Sequence, residues 1–253
     1  MKLFQSYGRR LANVMAAVAV AIITLPTAVA DDDENWRGAI YRVTITNLTT
    51  GQPFTPPVVA VHNRRANVFA LGTPASEGVR QIAENGNNAP LVEALRADPN
   101  VLEVLEGTAP VVPAANPGGT PFDSQTTFRF RTFGNARYVS LVSMLICTND
   151  GFTGVNTIRL PRNSTTILAR GYETRTEQNT EDFADIVPPC QGLIGVSSDD
   201  AGTGQSNPAL GENGIVIPHQ GVVGDNDLVS RVHNWADPVA KIVIERVRPN
   251  RRY

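Results

Sequence analysis

Nine residues, Ala39-Ile40-Tyr41-Arg42-Val43-Thr44-Ile45-Thr46-Asn47, alternate apolar with polar side chains and are rich in β-branched types. Successive side chains of a strand point to opposite faces, so this pattern builds a strand with one face buried and the other wet. Similar runs recur at Val58–His62, 126–132, 138–146, 165–172 and 241–247. Gly51-Gln52-Pro53, Pro56-Pro57 and the Pro/Gly/Thr-rich stretch 108–123 separate them as turns and loops. Two short helices interrupt the series. One covers 76–85, capped by Ser76, with Val79, Ile82 and Ala83 on one face and Gly86 at its end. The other covers 91–97 and stops at Asp98-Pro99. Pro188-Pro189 and 195–213 read as loops, and no internal repeat is visible. Strands separated by turns, with short helices only in one early insertion, predict an all-β chain folded as an antiparallel β-sandwich.

The N-terminal thirty residues have the three parts of an export signal. Lys2, Arg9 and Arg10 precede an apolar run from Val14 to Leu25, which ends in Ala28-Val29-Ala30. The run is shorter than the ~20 residues of a comfortable membrane span. An uncleaved anchor is the alternative. The expected organisation is a signal peptide at 1–30, an acidic tail at 31–38 and one domain at 39–253. The protein is then exported, periplasmic or extracellular, with no membrane span after cleavage. Loss of the three basic leader residues takes the formal charge from −2 to −5, which argues against nucleic acid as a partner. Lys241 is the one lysine after the leader, and the arginines are spread along the sequence, which predicts no basic patch.

Two cysteines, Cys147 and Cys190, lack the CxxC spacing of a metal or redox site. In an oxidising compartment they predict one disulfide, with two buried free thiols as the alternative. Three histidines, His62, His219 and His233, sit in no HExxH pattern, and no GxSxG elbow occurs. His62 reads as a hydrogen-bonded structural residue at a strand end, and His219 as a polar loop residue. Acidic and amide side chains are more suggestive. Asp150 follows the apolar strand 138–146, Asn156 comes soon after, and Glu173 and Glu177 follow the strand 165–172. Loops at strand ends can converge, and a hard cation such as Ca2+ takes six to eight oxygens. The spacing is not that of a known calcium loop, so scattered surface acids are the competing reading.

Several segments in order carry a resemblance. They are Val59-Ala60-Val61-His62-Asn63, Phe69 through Val79, Ile82-Ala83-Glu84-Asn85-Gly86, Val139 through Ile146, and Asn149-Asp150-Gly151-Phe152-Thr153-Gly154-Val155-Asn156. Tyr172 through Glu177 and Pro218-His219-Gln220-Gly221 continue it. The chain resembles the spondin N-terminal domain family, found in F-spondin, mindin and many bacterial exported proteins, over about residues 40–248. The resemblance implies a C2-like β-sandwich with a divalent cation, calcium, in its end loops, and Asp150, Glu173 and Glu177 as ligands. Departures weaken the match: Asn149 stands for proline, Gly151 for tryptophan, Asn156 for an acid and Glu173 for aspartate. Thr174-Arg175 replaces alanine-glycine, so Arg175 could fill the site as an internal cation.

The resulting expectation is an exported, non-catalytic binding or adhesion module for an extracellular or envelope polysaccharide or protein. A secreted metal- or carboxylate-dependent hydrolase is the alternative, and a self-assembling envelope protein a third reading.

Overall fold

In the computed structural model, residues 38–247 are described. The expected signal peptide at 1–30 and the tail expected at 31–38, Gly38 apart, lie outside the described residues. The alternating run at 39–47 forms strand β1 (Ile40–Asn47), with Tyr41, Val43 and Ile45 buried and Arg42 exposed. It pairs antiparallel with β4 (Gln125–Arg131) on one side and β10 (Ala240–Val247) on the other. Strand β7 (Ser164–Ala169) completes a four-stranded sheet in the order β4-β1-β10-β7.

The second sheet has six strands in the order β3-β2-β5-β6-β8-β9. Its members are β2 (Val58–His62), β3 (Val101–Glu106), β5 (Tyr138–Met144), β6 (Gly151–Arg159), β8 (Gly171–Glu173) and β9 (Ile217–Pro218). All pairings are antiparallel. Tyr41, Val43, Ile45, Ile242 and Ile244 meet Val59, Val61 and Leu141 between the two sheets. A second core lies on the other face of the six-stranded sheet, where Val58, Ala60, Val142 and Met144 pack under helical residues such as Val79, Ile82 and Leu91. Burial on both faces explains why β2 is a continuous apolar run and not an alternating one.

The expected helices form as α1 (Glu77–Asn85) and α2 (Ala89–Ala97), and the Ser76 hydroxyl caps α1 by accepting from the Val79 amide at 3.3 Å. Helices are not confined to that early insertion. Pro188-Pro189, expected in a loop, opens α3 (Pro189–Ile194), where the fixed φ of proline suits the first helical position. A further turn of helix, α4, spans Ser230–His233. The run at 165–172 is also two strands. The chain leaves the four-stranded sheet at Arg170 and joins the six-stranded one at Gly171, with Arg170 Nε donating to Asp237 Oδ2 at 2.7 Å at the crossing.

Candidate functional site

The turn 147–150 joins β5 to β6 and is held from several directions. Cys147 is bonded to Cys190 of α3, so the two cysteines form the expected disulfide. Gln52 clamps the same residue through its amide: Nε2 donates to the Cys147 carbonyl at 3.1 Å and Oε1 accepts from the Cys147 N–H at 3.1 Å. Thr148 Oγ1 donates to the Leu145 carbonyl and accepts from the Gly151 amide, which closes the turn. Asn149 and Thr180 exchange two bonds of 3.1 Å.

Asp150 sits at the centre and is fully buried. Its Oδ2 accepts from Thr174 Oγ1 at 3.0 Å, the Thr176 amide at 2.8 Å and the Glu177 amide at 3.3 Å. Arg175 adopts a left-handed φ of 54°, and the amides of Thr176 and Glu177 that follow it converge on one oxygen, as in an anion-binding nest. The other oxygen, Oδ1, is buried without any hydrogen-bond partner. Burial is the largest influence on this carboxyl and pushes its pKa up to about 6, against the pull of its donors.

Glu173 and Glu177 approach from the adjoining segment. Glu173 lies across from Gly151 in the β6–β8 ladder and accepts from Asn179 Nδ2 at 2.8 Å. Burial raises its pKa, while Asn179 and the Arg175 charge hold it down. Glu177 is nearly inaccessible, and its Oε1 accepts from the Asn207 amide at 2.6 Å. Burial pushes it to about 7, with the charges of Glu84, Asp150 and Asp185 adding to the rise. Arg175 does not fill the site: its side chain is half exposed and turned toward Glu212, at 3.8 Å.

Asn156 stands apart from these three. It lies six residues further along β6, about 20 Å at strand spacing. Its Oδ1 accepts from the Val68 amide and Ser140 Oγ, and its amide donates to Asn67. Proximity in sequence suggested a shared loop, but β6 carries Asn156 toward the other end of the sheet. His62 belongs to the same cluster, with Nε2 at 2.8 Å from Ser140 Oγ and Nδ1 at 2.7 Å from the Asn63 carbonyl. His219 packs edge-on against Trp235, and burial depresses its pKa to about 4.

Other acids escape a linear reading. Glu84 on α1 is buried against Arg80 and Ser206. Glu181 accepts from the amides of Val223, Gly224 and Asp225, which anchors that loop. Among the described residues, the group of three acidic side chains with oxygens within 4.8 Å of one another is Asp182, Asp200 and Asp227, at the partly exposed rim. Nothing in the sequence pairs Asp182, Asp200 and Asp227 across gaps of this length.

The buried, unpartnered Oδ1 of Asp150 is an oxygen that a hard cation would satisfy, and Glu173 and Glu177 are coupled to Asp150 by charge. The carboxylate oxygens of these three residues, however, do not all lie within 4.8 Å of one another. The fold and site together define a disulfide-bonded, two-sheet antiparallel module with a carboxylate-rich end. The Spondin_N family model matches residues 36–171, and the chain belongs to this spondin N-terminal domain family. Members are generally non-catalytic extracellular modules, and the disulfide fits that setting. The match contains Asp150 and Asn156 and ends before Glu173 and Glu177. No curated protein matches the chain. Among the described residues no helix is long and apolar enough to cross a membrane.

Proposed function

We propose that the protein is an exported binding or adhesion module whose carboxylate end holds a divalent cation, calcium foremost. The single observation behind this reading is Asp150: an inaccessible carboxylate with one oxygen held by three donors and the other left without a partner. Ionised and unpaired, such an oxygen is costly, and a cation is the partner that removes the cost. Asp150 would hold the ion, with Glu173 and Glu177 drawing inward to complete the set, since the oxygens of the three do not all lie within 4.8 Å of one another without it. Because all three are nearly inaccessible, the ion's role is to lock the 147–150 turn to the 173–180 segment. It does not present an open coordination position to a ligand. The family match favours the binding-module reading over the hydrolase, and surface grooves of about 560 and 290 Å³ among the described residues lie away from these carboxylates.

Thermal melts of the full chain in calcium and in chelator test this. Calcium at 100 times its dissociation constant should add about 2.7 kcal/mol. Asp150→Ala should abolish the shift. No shift in the parent protein refutes the cation. A shift that survives Asp150→Ala but is lost in Asp182→Ala moves the ion to the rim.

A further inference from the structure

The end of the sandwich opposite the carboxylates carries three exposed arginines, Arg64, Arg65 and Arg159. Tyr138 opens β5, and the turn bearing Asp150 follows the far end of that strand. The seven residues of β5 alone separate the two by about 20 Å. At this far end His62, Tyr138 and Arg159 form one row across β2, β5 and β6. Residues directly opposite in antiparallel pairs point to the same face, with Cβ atoms about 5 Å apart. Arg159 therefore flanks the Tyr138 ring. Asn63, Arg64, Arg65, Asn135 and Tyr138 line an open groove of about 290 Å³ beside it. The arginines expected to form no patch are gathered here by strand topology, from positions almost a hundred residues apart.

We propose that this groove is a second binding site, for a polysaccharide chain bearing carboxylate or sulfate groups. Arg64, Arg65 and Arg159 are exposed and make no ion pair among the described residues. Asp98, the carboxylate whose charge is felt by His62, is turned instead to Asn100, accepting from its amide N–H and Nδ2 at 2.8 Å. Guanidinium groups match carboxylate and sulfate oxygens through paired hydrogen bonds. The exposed Asn135 amide supplies a donor and an acceptor for sugar hydroxyls. The Tyr138 ring offers a flat, half-buried surface, backed by the His62 ring at 6.4 Å and 21°. His62 is itself fixed by its two hydrogen bonds, so the platform is rigid before any ligand arrives. A groove of this volume, at the small end of the range for ligand sites, and open at its sides takes a segment of a chain. The site does not depend on the cation at the other end.

The test is binding of the full chain to immobilised polygalacturonate, dextran sulfate and neutral dextran, in chelator, at about 50 and about 500 mM NaCl. The protein should bind both acidic chains at low salt, release at high salt and ignore neutral dextran. Arg64→Glu with Arg65→Glu should weaken binding at least about tenfold, while Arg231→Glu on α4, at a distance from the groove, should not. Unchanged melting of both variants shows that the fold is retained. Equal binding to neutral dextran, no binding at all, or an unaffected double variant overturns the proposal. So does duplex DNA competing at lower concentration than polygalacturonate. Binding that appears only when calcium is restored places the ligand at the carboxylate end and also refutes this site.

Discussion

Replacing Asp150 by asparagine should stabilise the protein in chelator and destabilise it in calcium. The Asp150 carboxyl titrates at about 6, up from 3.8. A carboxyl raised in the folded state keeps its proton there longer than in the unfolded chain. Its contribution is neutral below about pH 4 and becomes a growing penalty as pH rises through 6. Two pKa units at 1.36 kcal/mol each make that penalty about 3 kcal/mol at pH 8. Asparagine is neutral throughout, and its carbonyl can still accept from Thr174, Thr176 and Glu177 in place of Oδ2. In chelator at pH 8 the variant should therefore be more stable by up to about 3 kcal/mol, which is roughly 6–12 °C in Tm for a domain of this size. At pH 4 the two should melt together. In calcium at pH 8 the order should reverse, since the parent gains the ion and the variant does not. Urea and thermal unfolding followed by circular dichroism, with the disulfide intact, read all three conditions. A variant less stable than the parent in chelator at pH 8 would show that the ionised carboxylate is satisfied without a cation, and the account of Oδ1 would fall.

Other perturbations address the frame around the turn. The disulfide closes a sequence separation of 43, for which loop entropy gives about 4 kcal/mol. Cys147→Ala with Cys190→Ala should lower the urea midpoint accordingly, and an unchanged midpoint would show that α3 is held by packing alone. Gln52→Ala removes three buried bonds, two to Cys147 and one of 2.7 Å to the His233 carbonyl, and leaves those backbone groups unpaired. A loss of about 2–4 kcal/mol should follow, and a loss under about 1 kcal/mol in denaturant melts would mean that water replaces the amide.

Much of the sandwich could be read from the chain because β1, β4 and β10 each expose one face, and period-two alternation reports that. Strand β6 could not. Gly151 and Gly154 look like turn residues, yet a Cβ on Gly154 would lie 2.1 Å from the Leu141 carbonyl oxygen. Glycine is there so that β5 and β6 can approach, not to let the chain turn. Missing β6 also misplaced Asn156, since six residues mean a short step in a loop and about 20 Å in a strand. Asp150 was recognisable from its family segment. Its three donors were not, because they depend on the left-handed turn at Arg175, a non-glycine residue with no local sequence signal. Edge strand β3, Val-Leu-Glu-Val-Leu-Glu, has no period of two: Leu102 and Glu106 are exposed and the other four residues half-buried.

A net charge of −2 conceals a separation that only the topology creates. β5 runs from the Tyr138 groove to the Asp150 turn, so its two ends carry opposite chemistry on one central strand paired with β2 on one side and β6 on the other. At one end the charges are buried, few and fixed by the disulfide, Gln52 and the amides after Arg175. At the other they are exposed arginines on long side chains around a held aromatic ring. Buried carboxylates suit a small ion that can be enclosed, because desolvation strengthens that attraction. Exposed guanidiniums suit an extended partner that arrives by electrostatic steering and leaves as salt rises. Salt and chelator should thus act on different ends of the molecule: chelator on melting temperature with little effect on polyanion binding, salt on polyanion binding with little effect on melting.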